Sequence, residues 1–598
     1  MTLWRDIATS RFGAIHESRE DKRMPLEQAI RTFVRPGMRI NPCAMQSRPS
    51  AAIYELCRQF AGANPGFEYI ASSISNTALA LVHLGIVERV VVAFAGESYP
   101  TPGPNAIVQR ALDRGQLEIQ NWTMLTITQR LMAGALDVPF FPTRSLAGST
   151  IGAELAEHGD FMELNDDGRP AGYVRAYRPD ISFVHAWAAD AAGNTLCCPP
   201  YGENVYGAIA AREGVIVTVD RIVPTEFIRA HAHFVRIPAS VVRAVCHVPY
   251  GAHPTGNPSP NLPGCSAYGN DYAFMLDCRV ASRDEETFQQ WVQEWILGVA
   301  NHDEYVQKLG QDRIDHLHYV GRHDTWTSEL ESFADELSKP KLPTPLEMMV
   351  VQASRTIARR IEDRGYTAIL AGIGQAGLGA WLAAHALRDA GVDVALMAET
   401  GVYGHDPRPC DPFVFDFRNI PTATTTTDIF EVLGLYTCGA GNRCIGAIGA
   451  AQIDRFGNVN STRTKEGRFV VGSGGANDIA TAATETLVAV QQRRRAFVPR
   501  VDYITCPGTR IQCVISSMGR FEKRGGDELV LTGYFHGVGK DRDAAVGEIQ
   551  KHCGWELRVS DDLEVLDAPQ DDELALLRLF DPERFFLGKP VPHTKATP

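Results

Sequence analysis

Gly391-Val392-Asp393-Val394-Ala395-Leu396-Met397-Ala398-Glu399-Thr400-Gly401-Val402-Tyr403-Gly404 reads as an apolar run that delivers an acid straight into a glycine-containing turn. The apolar residues predict a buried strand, which puts Glu399 at its carboxyl end. Open α/β sheets hold their ligands at that edge, and the glycines that follow let a ligand approach the backbone closely. A carboxylate so placed can act as a base or a nucleophile; the same local pattern also suits an acid on a solvated loop or at a helix start.

Just upstream, Ala368-Ile369-Leu370-Ala371-Gly372-Ile373-Gly374 predicts another strand entering a glycine turn, followed by the helix-like Ala380–Leu387. The earlier chain alternates in the same way. Val90–Phe94 and Gly214–Val219 read as strands, and Ser50–Gln59 as a helix. Such alternation predicts an α/β fold with mostly parallel sheets covered by helices. A chain of 598 residues exceeds the about 250–300 at which one hydrophobic core stops growing, so two large domains are expected. Three prolines in Ser338–Pro345 disfavour both helix and central strand. The expected division is 1–337, a Pro-rich linker at 338–345, and 346–598.

The two parts share features in the same order, which predicts a diverged tandem of one fold. The helix at Ser50–Gly62 has a counterpart at Gly379–Gly391, Glu97 in Phe94-Ala95-Gly96-Glu97-Ser98 has Glu399, and Asp190-Ala191-Ala192-Gly193-Asn194 has Asp454-Arg455-Phe456-Gly457-Asn458. Alone, Asp-x-x-Gly-Asn says only "turn"; here it marks the repeat.

Composition narrows the function. Hydrophobic residues at 44% and charged residues at 22% are ordinary for a globular protein. A net charge of -13 argues against nucleic-acid or anionic-membrane partners, and a polyanionic ligand would need a local basic patch. Thirteen scattered cysteines, an odd number, favour reduced thiols over a disulfide framework or a metal site. Met1-Thr2-Leu3-Trp4-Arg5-Asp6 does not start a secretory signal, and no apolar run reaches the ~20 residues of a membrane span. A cytoplasmic protein is expected.

Further along, Arg468–Ala483 predicts a short apolar strand joined to an Ala-rich helix through Gly472-Ser473-Gly474-Gly475. Amides at such a turn can hold an anion or a developing oxyanion, although the segment fits neither the P-loop nor the G-x-G-x-x-G pattern.

Taken together, Ala398-Glu399-Thr400-Gly401, Gly449–Thr462 and Gly472–Asp478 resemble the β-subunit motifs of class I CoA-transferases, of the glutaconate CoA-transferase type. Arg178–Asp190, Val215–Asp220 and Pro249–Pro254 resemble the matching α subunit. The resemblance spans most of both parts and implies α-like and β-like subunits fused in one chain.

It also implies a chemistry. Glu399 matches the glutamate that attacks an acyl-CoA thioester, forming a glutamyl anhydride and then a glutamyl-CoA thioester in ping-pong exchange with a free carboxylate. Glu97, in the α-like part, is a second catalytic candidate. Gly472, Gly474, Gly475, Ala476 and Asn477 match the loop that lies against CoA, a substrate and covalent intermediate here rather than a tightly bound cofactor. No metal is implied. Where the family commonly has a glycine-rich loop, this chain has Asn41-Pro42-Cys43-Ala44-Met45-Gln46-Ser47-Arg48, so Gln46, Ser47 and Arg48 become candidates for contacting a polar or dicarboxylic acyl group. His253, Cys43 and Cys444 are given no catalytic role. The expected partners are an acyl-CoA and a small carboxylic acid, with the fused chain able to pair as a homodimer. Acyl-CoA hydrolysis, ring-opening C–C hydrolysis and decarboxylation on the same fold remain alternatives, as does a non-catalytic CoA-binding protein. Decarboxylase relatives carry cysteine in place of the glutamate, so Glu399 favours transfer.

Overall fold

A computed structural model describes residues 3–13, 18, 20–43, 46–166, 169–258, 262–339, 341–589 and 591–592. Ala44 and Met45 of the Asn41–Arg48 segment and Pro340 of the linker lie outside the described residues.

In the first half, β-branched and aromatic runs become β1 (Arg39–Pro42), β2 (Phe67–Ile74), β3 (Val87–Ala95), β4 (Glu118–Asn121), β5 (Ile181–Ala189), β6 (Val215–Ile222) and β7 (Val242–His247). They pair in the order β4-β3-β2-β1-β5-β6-β7, and every one of these pairings is parallel. β5 is buried along its whole length, as a strand covered on both faces must be. Helix α1 (Ser50–Phe60) follows β1. Helix α2 (Met124–Ala135) follows β4 and starts where the Thr123 and Thr126 side chains each bond the other residue's backbone N–H. Helix α3 (Tyr272–Ala281) comes after the sheet is complete.

The second half opens with α4 (Pro345–Arg364). Thr344 and Glu347 cap each other, Pro345 presets the first turn, and Gly365 ends the helix in a left-handed conformation. Just before it, Lys341–Leu342 pairs with Val591–Pro592 near the chain's end. Strands β8 (Ala368–Ala371), β9 (Ala395–Ala398), β10 (Val402–Tyr403), β11 (Thr425–Thr426), β12 (Cys444–Gly449), β13 (Glu485–Val490), β14 (Ile511–Ser516), β15 (Gly519–Lys523), β16 (Leu529–Phe535) and β17 (Arg558–Leu566) form the second sheet. Their order is β11-β10-β9-β8-β12-β13-β14-β15-β16-β17. The five central strands are parallel, and antiparallel pairs extend both flanks. Helix α5 (Gln375–Asp389) follows β8, and the short α6 (Ala476–Ala482) precedes β13.

The repeat is visible in the topology: β2-β1-β5-β6-β7 and β9-β8-β12-β13-β14 share order and direction. The twin turns also share their bonding. Asp190 Oδ1 accepts from the Gly193 and Asn194 amides at 2.9 and 2.8 Å, while Asp454 Oδ1 accepts from Phe456 and Asn458 at 2.9 and 3.0 Å. In each turn the asparagine side chain donates to the second aspartate oxygen.

One expected correspondence fails. β9 is the counterpart of β2, so the position matching Glu399 is Ser75, just past Ile74. Glu97 follows β3, and in the second half the neighbour on that side of β9 is the antiparallel β10. Two strand expectations also shrink. Gly391 is left-handed at the end of α5 and the strand begins only at Ala395. Arg468–Gly472 makes isolated bridges from Phe469 and Gly472 rather than a strand, because this stretch bonds across to the end of β3.

The cores explain how the halves meet. One cluster, including Ile40, Phe67 and Phe183, belongs mainly to the first half, and another, including Met349, Trp381 and Ile445, to the second. A third is shared: Trp122 and Leu125 of the first half pack with Met397, Ile448 and Phe497 of the second. Truncating one such buried side chain typically costs about 2–5 kcal/mol, so this shared core is a strong tie. No helix among the described residues is long and apolar enough to cross a membrane.

Candidate active site

Glu399 follows β9 directly and is only 8% exposed. Its carboxylate makes no hydrogen bond or ion pair among the described residues. It lies so close to Gly475 that a β-carbon there would overlap Oε2. Burial, reinforced by the nearby Asp478 carboxylate, pushes the Glu399 pKa up to about 8. Asp478 is fully buried, accepts from the Leu125 amide at 3.1 Å, and is itself pushed up to about 6 by burial. A buried carboxyl without partners is costly to fold around and is the kind of group a reaction uses.

The glycine loop that presses on Glu399 is fastened to the other half. Gly474 N–H donates to Ala93 O at 2.9 Å, and Gly474 O accepts from Met124 N–H at 3.1 Å. Ala95 N–H donates to Val471 O, and Leu146 N–H to Asn477 Oδ1. Asn477 Nδ2 donates to Thr505 O. The Gly474 amide, expected to be open to a ligand, is therefore spent on β3, and the Asn477 side chain on the join. Gly475 N–H keeps no acceptor among the described residues. Gly472 and Gly474 have φ of 99° and 53°, conformations that favour glycine. A β-carbon at Gly472 would also meet Ala93 O and the Asn121 side chain.

On the first-half side, a cavity of about 70 Å³ is lined by Gln46, Arg48, Ser73, Ser75, Thr255 and Thr400, among others. Thr400 is the residue next to Glu399. The buried Arg48 guanidinium donates to Ser75 O at 2.7 Å, Ser73 Oγ at 3.2 Å and Ser75 Oγ at 3.3 Å, and burial lowers its pKa. Gln46 Nε2 donates to Phe415 O, and Phe415 also lines the cavity. Ser47 Oγ donates to Asn257 Oδ1 at 2.9 Å from a left-handed backbone with φ of 53°. Helix α1 starts three residues later, at Ser50.

Glu97 stands apart from Glu399 in its bonding. Oε1 accepts from Asn105 Nδ2 and Ser282 Oγ, Arg279 Nε lies 3.9 Å from Oε2, and the backbone bonds both ways with Gly103. Burial raises its pKa while these partners pull it down. The carboxylate ties the loop after β3 to the end of α3, and the adjacent Ser98 reaches the cavity wall. His253 is held between Tyr305 and Asp271, and burial raises the thiol pKa of Cys43 and Cys444.

Sequence reading missed Asp478 and Ser75. Asp478 closes the Gly472–Asp478 motif and could have been noticed there. Ser75 becomes visible only when β2 is matched with β9.

The Coenzyme A transferase family pattern matches residues 23–247 and 350–516, well over half of the chain, and the chain belongs to that family. It is 27% identical over 297 residues to the A-type component of 3-oxoadipate CoA-transferase from Pseudomonas knackmussii, covering 48% of this chain and 99% of that protein. It is 34% identical over 174 residues to the B-type component of glutaconate CoA-transferase from Acidaminococcus fermentans, covering 25% of this chain and 62% of that one. A-type and B-type sequences thus stand in one CoA-transferase chain. In fold it resembles an acyl-CoA transferase of E. coli O157:H7, seen as a thioester complex with CoA, with a TM-score of 0.63 at 15% identity over 97% of this chain and 100% of that one.

Proposed function

We propose that this CoA-transferase moves CoA from an acyl-CoA to a free carboxylate through covalent intermediates on Glu399. The observation that carries this reading is the buried Glu399 carboxylate, unpartnered among the described residues and pressed against the glycine loop. Once ionised, an oxygen of Glu399 attacks the thioester carbonyl and the C–S bond breaks, giving an acyl-glutamyl anhydride and CoA thiolate. The thiolate then attacks the glutamyl carbonyl, forming glutamyl-CoA and releasing the first acid. A second carboxylate attacks glutamyl-CoA and expels the thiolate, which takes the new acyl group and frees Glu399. A basic carboxylate is a better nucleophile, and burial keeps water from the anhydride. Gly475 N–H, with no acceptor among the described residues, is the donor we assign to the developing oxyanion.

Arg48 supports an acyl group ending in a second carboxylate or another polar group. It is a buried cation in a cavity rimmed by serine and threonine hydroxyls, and that cavity reaches the residue beside Glu399. CoA is substrate and covalent intermediate in this scheme. Glu97 is assigned a positioning role, holding Ser98 at the cavity wall.

The test incubates the protein with glutaryl-CoA and other acyl-CoAs, reduces with borohydride, and maps the peptide containing Glu399 by mass spectrometry. Reduction of glutamyl-CoA at Glu399 and transfer of CoA to added acetate are expected. Turnover by Glu399→Ala with no trapped peptide would overturn the mechanism, and thioester loss indifferent to added carboxylate would make the protein a hydrolase.

A further inference from the structure

The protein is acidic overall, yet one turn is strongly basic. Arg493, Arg494 and Arg495 are consecutive and exposed, with Arg500 exposed nearby. Among the described residues, none of the three consecutive guanidiniums makes a hydrogen bond or ion pair. A run of like charges in a chain of net charge -13 attracts an anion locally where the rest of the surface repels one.

The turn is also built rather than loose. Ala496 and Phe497 N–H both donate to Arg493 O, at 2.8 and 2.9 Å. Gln492, just before it, is fixed by Ser516 Oγ and Ser517 Oγ. Phe497, just after it, is fully buried in the core shared by the halves. On its inner side, Gln452 Nε2 donates to Arg495 O and Ile453 N–H to Ala496 O. Arginines on so anchored a turn lose less freedom on binding than arginines on a mobile loop.

Its position gives it a ligand. The turn leaves the carboxyl end of β13, the same edge of the same sheet on which Glu399 leaves β9. In the order β9-β8-β12-β13 the two lie three strand spacings apart, roughly 14 Å. The edge between them carries Gly372 after β8 and Gly449-Ala450-Ala451 at the end of β12, all partly or fully exposed. A β-carbon added at Gly449 would meet nothing within 4 Å. A nucleophile, an open rim of small residues and an arginine turn therefore follow one another along a single edge.

We infer that the Arg493–Arg495 turn receives the phosphates of the CoA nucleotide, with the pantetheine arm crossing the Gly372 and Gly449–Ala451 rim to bring the thioester to Glu399. The assignment rests on the CoA-transfer reading for the position of the thioester. Guanidiniums suit the task because they bind phosphate oxygens in pairs, and the exposed rim leaves room for a long, uncharged arm whose amides stay in contact with water.

The experiment compares the whole protein with its R493Q/R494Q/R495Q variant by calorimetry, using CoA, dephospho-CoA and pantetheine as ligands. Calorimetry reads the turn without turnover, so failure of transfer activity and failure of this assignment are separate results. CoA is expected to bind the variant at least tenfold more weakly, with pantetheine binding unchanged. A loss confined to CoA places the 3′-phosphate on the turn, and a loss shared with dephospho-CoA places the pyrophosphate there. Arg→Lys at the same three positions should recover part of the affinity, and raised salt should weaken CoA binding to wild type more than to the variant. If the glutamine variant, folded by its unchanged melting temperature, binds CoA within twofold of wild type, the assignment is wrong.

Discussion

The Glu399 carboxylate, just past β9, and the Gly475 backbone, just before α6, are packed so closely that no side chain fits between them. Gly475 has an ordinary negative φ, so it is steric room, not backbone strain, that calls for glycine here.

Gly475→Ala is therefore expected to displace the carboxylate while leaving the loop's bonds to β3 in place. Misplacing a reacting group by about 1 Å can cost on the order of 100-fold in rate. Steady-state kinetics should show a fall in kcat of about that size, with a melting temperature near wild type. Full activity in this variant would remove the loop from the chemistry.

The pKa of about 8 on Glu399 predicts a pH profile. The attacking form is ionised, so kcat/KM should rise with pH and level off above about 8. Asp478 is one cause of that high value, so Asp478→Asn should move the midpoint to lower pH. A profile already flat from pH 5 to 9 in wild type would contradict the assigned nucleophile.

Stability should run the opposite way. Glu399 has a folded-state pKa above its ordinary 4.5, so the folded protein favours the protonated acid. That contribution is fully present below about 4.5 and is lost as pH rises through about 8. Glu399→Gln removes the charge, and should stabilise the protein by on the order of 1–3 kcal/mol at pH 9 while changing little at pH 5. Thermal unfolding at the two pH values checks this, and equal shifts at both would deny the coupling.

At Arg48, substitution separates substrate recognition from chemistry. Arg48→Gln should raise KM about 10- to 100-fold for acyl-CoAs that end in a carboxylate and much less for simple acyl-CoAs, since a charge-assisted pair to a buried guanidinium is lost. Kinetics on glutaryl-CoA against butyryl-CoA make the comparison. Equal losses on both would mean that Arg48 serves only to brace Ser73 and Ser75.

Much of this arrangement is legible in the residues alone. The apolar run before Glu399 and the glycines around Gly474 follow from local physics, since buried parallel strands are continuous hydrophobic runs and tight turns need glycine. The twin aspartate turns announce the repeat. What sequence does not supply is the pairing order of the strands. Without it, Glu97 looks like the counterpart of Glu399, when the matching position is Ser75 one strand further in. Nor does it tell which loop amides are spent: Gly474 donates to Ala93, a residue 381 positions away in the chain, and no local pattern encodes that partner. Arg48 is the intermediate case, for its oddity in the loop is plain but its serine cage depends on β2.

The fastening of Gly474 to Ala93 and Met124 carries one more implication. Proteins related to this one are named as separate A-type and B-type components, whereas here the equivalent sequences share a backbone. Joining the two makes their encounter intramolecular, with an effective concentration set by the connection instead of by how much protein is present. The reacting centre should then survive extreme dilution, and each copy of the chain carries its halves in a fixed one-to-one ratio.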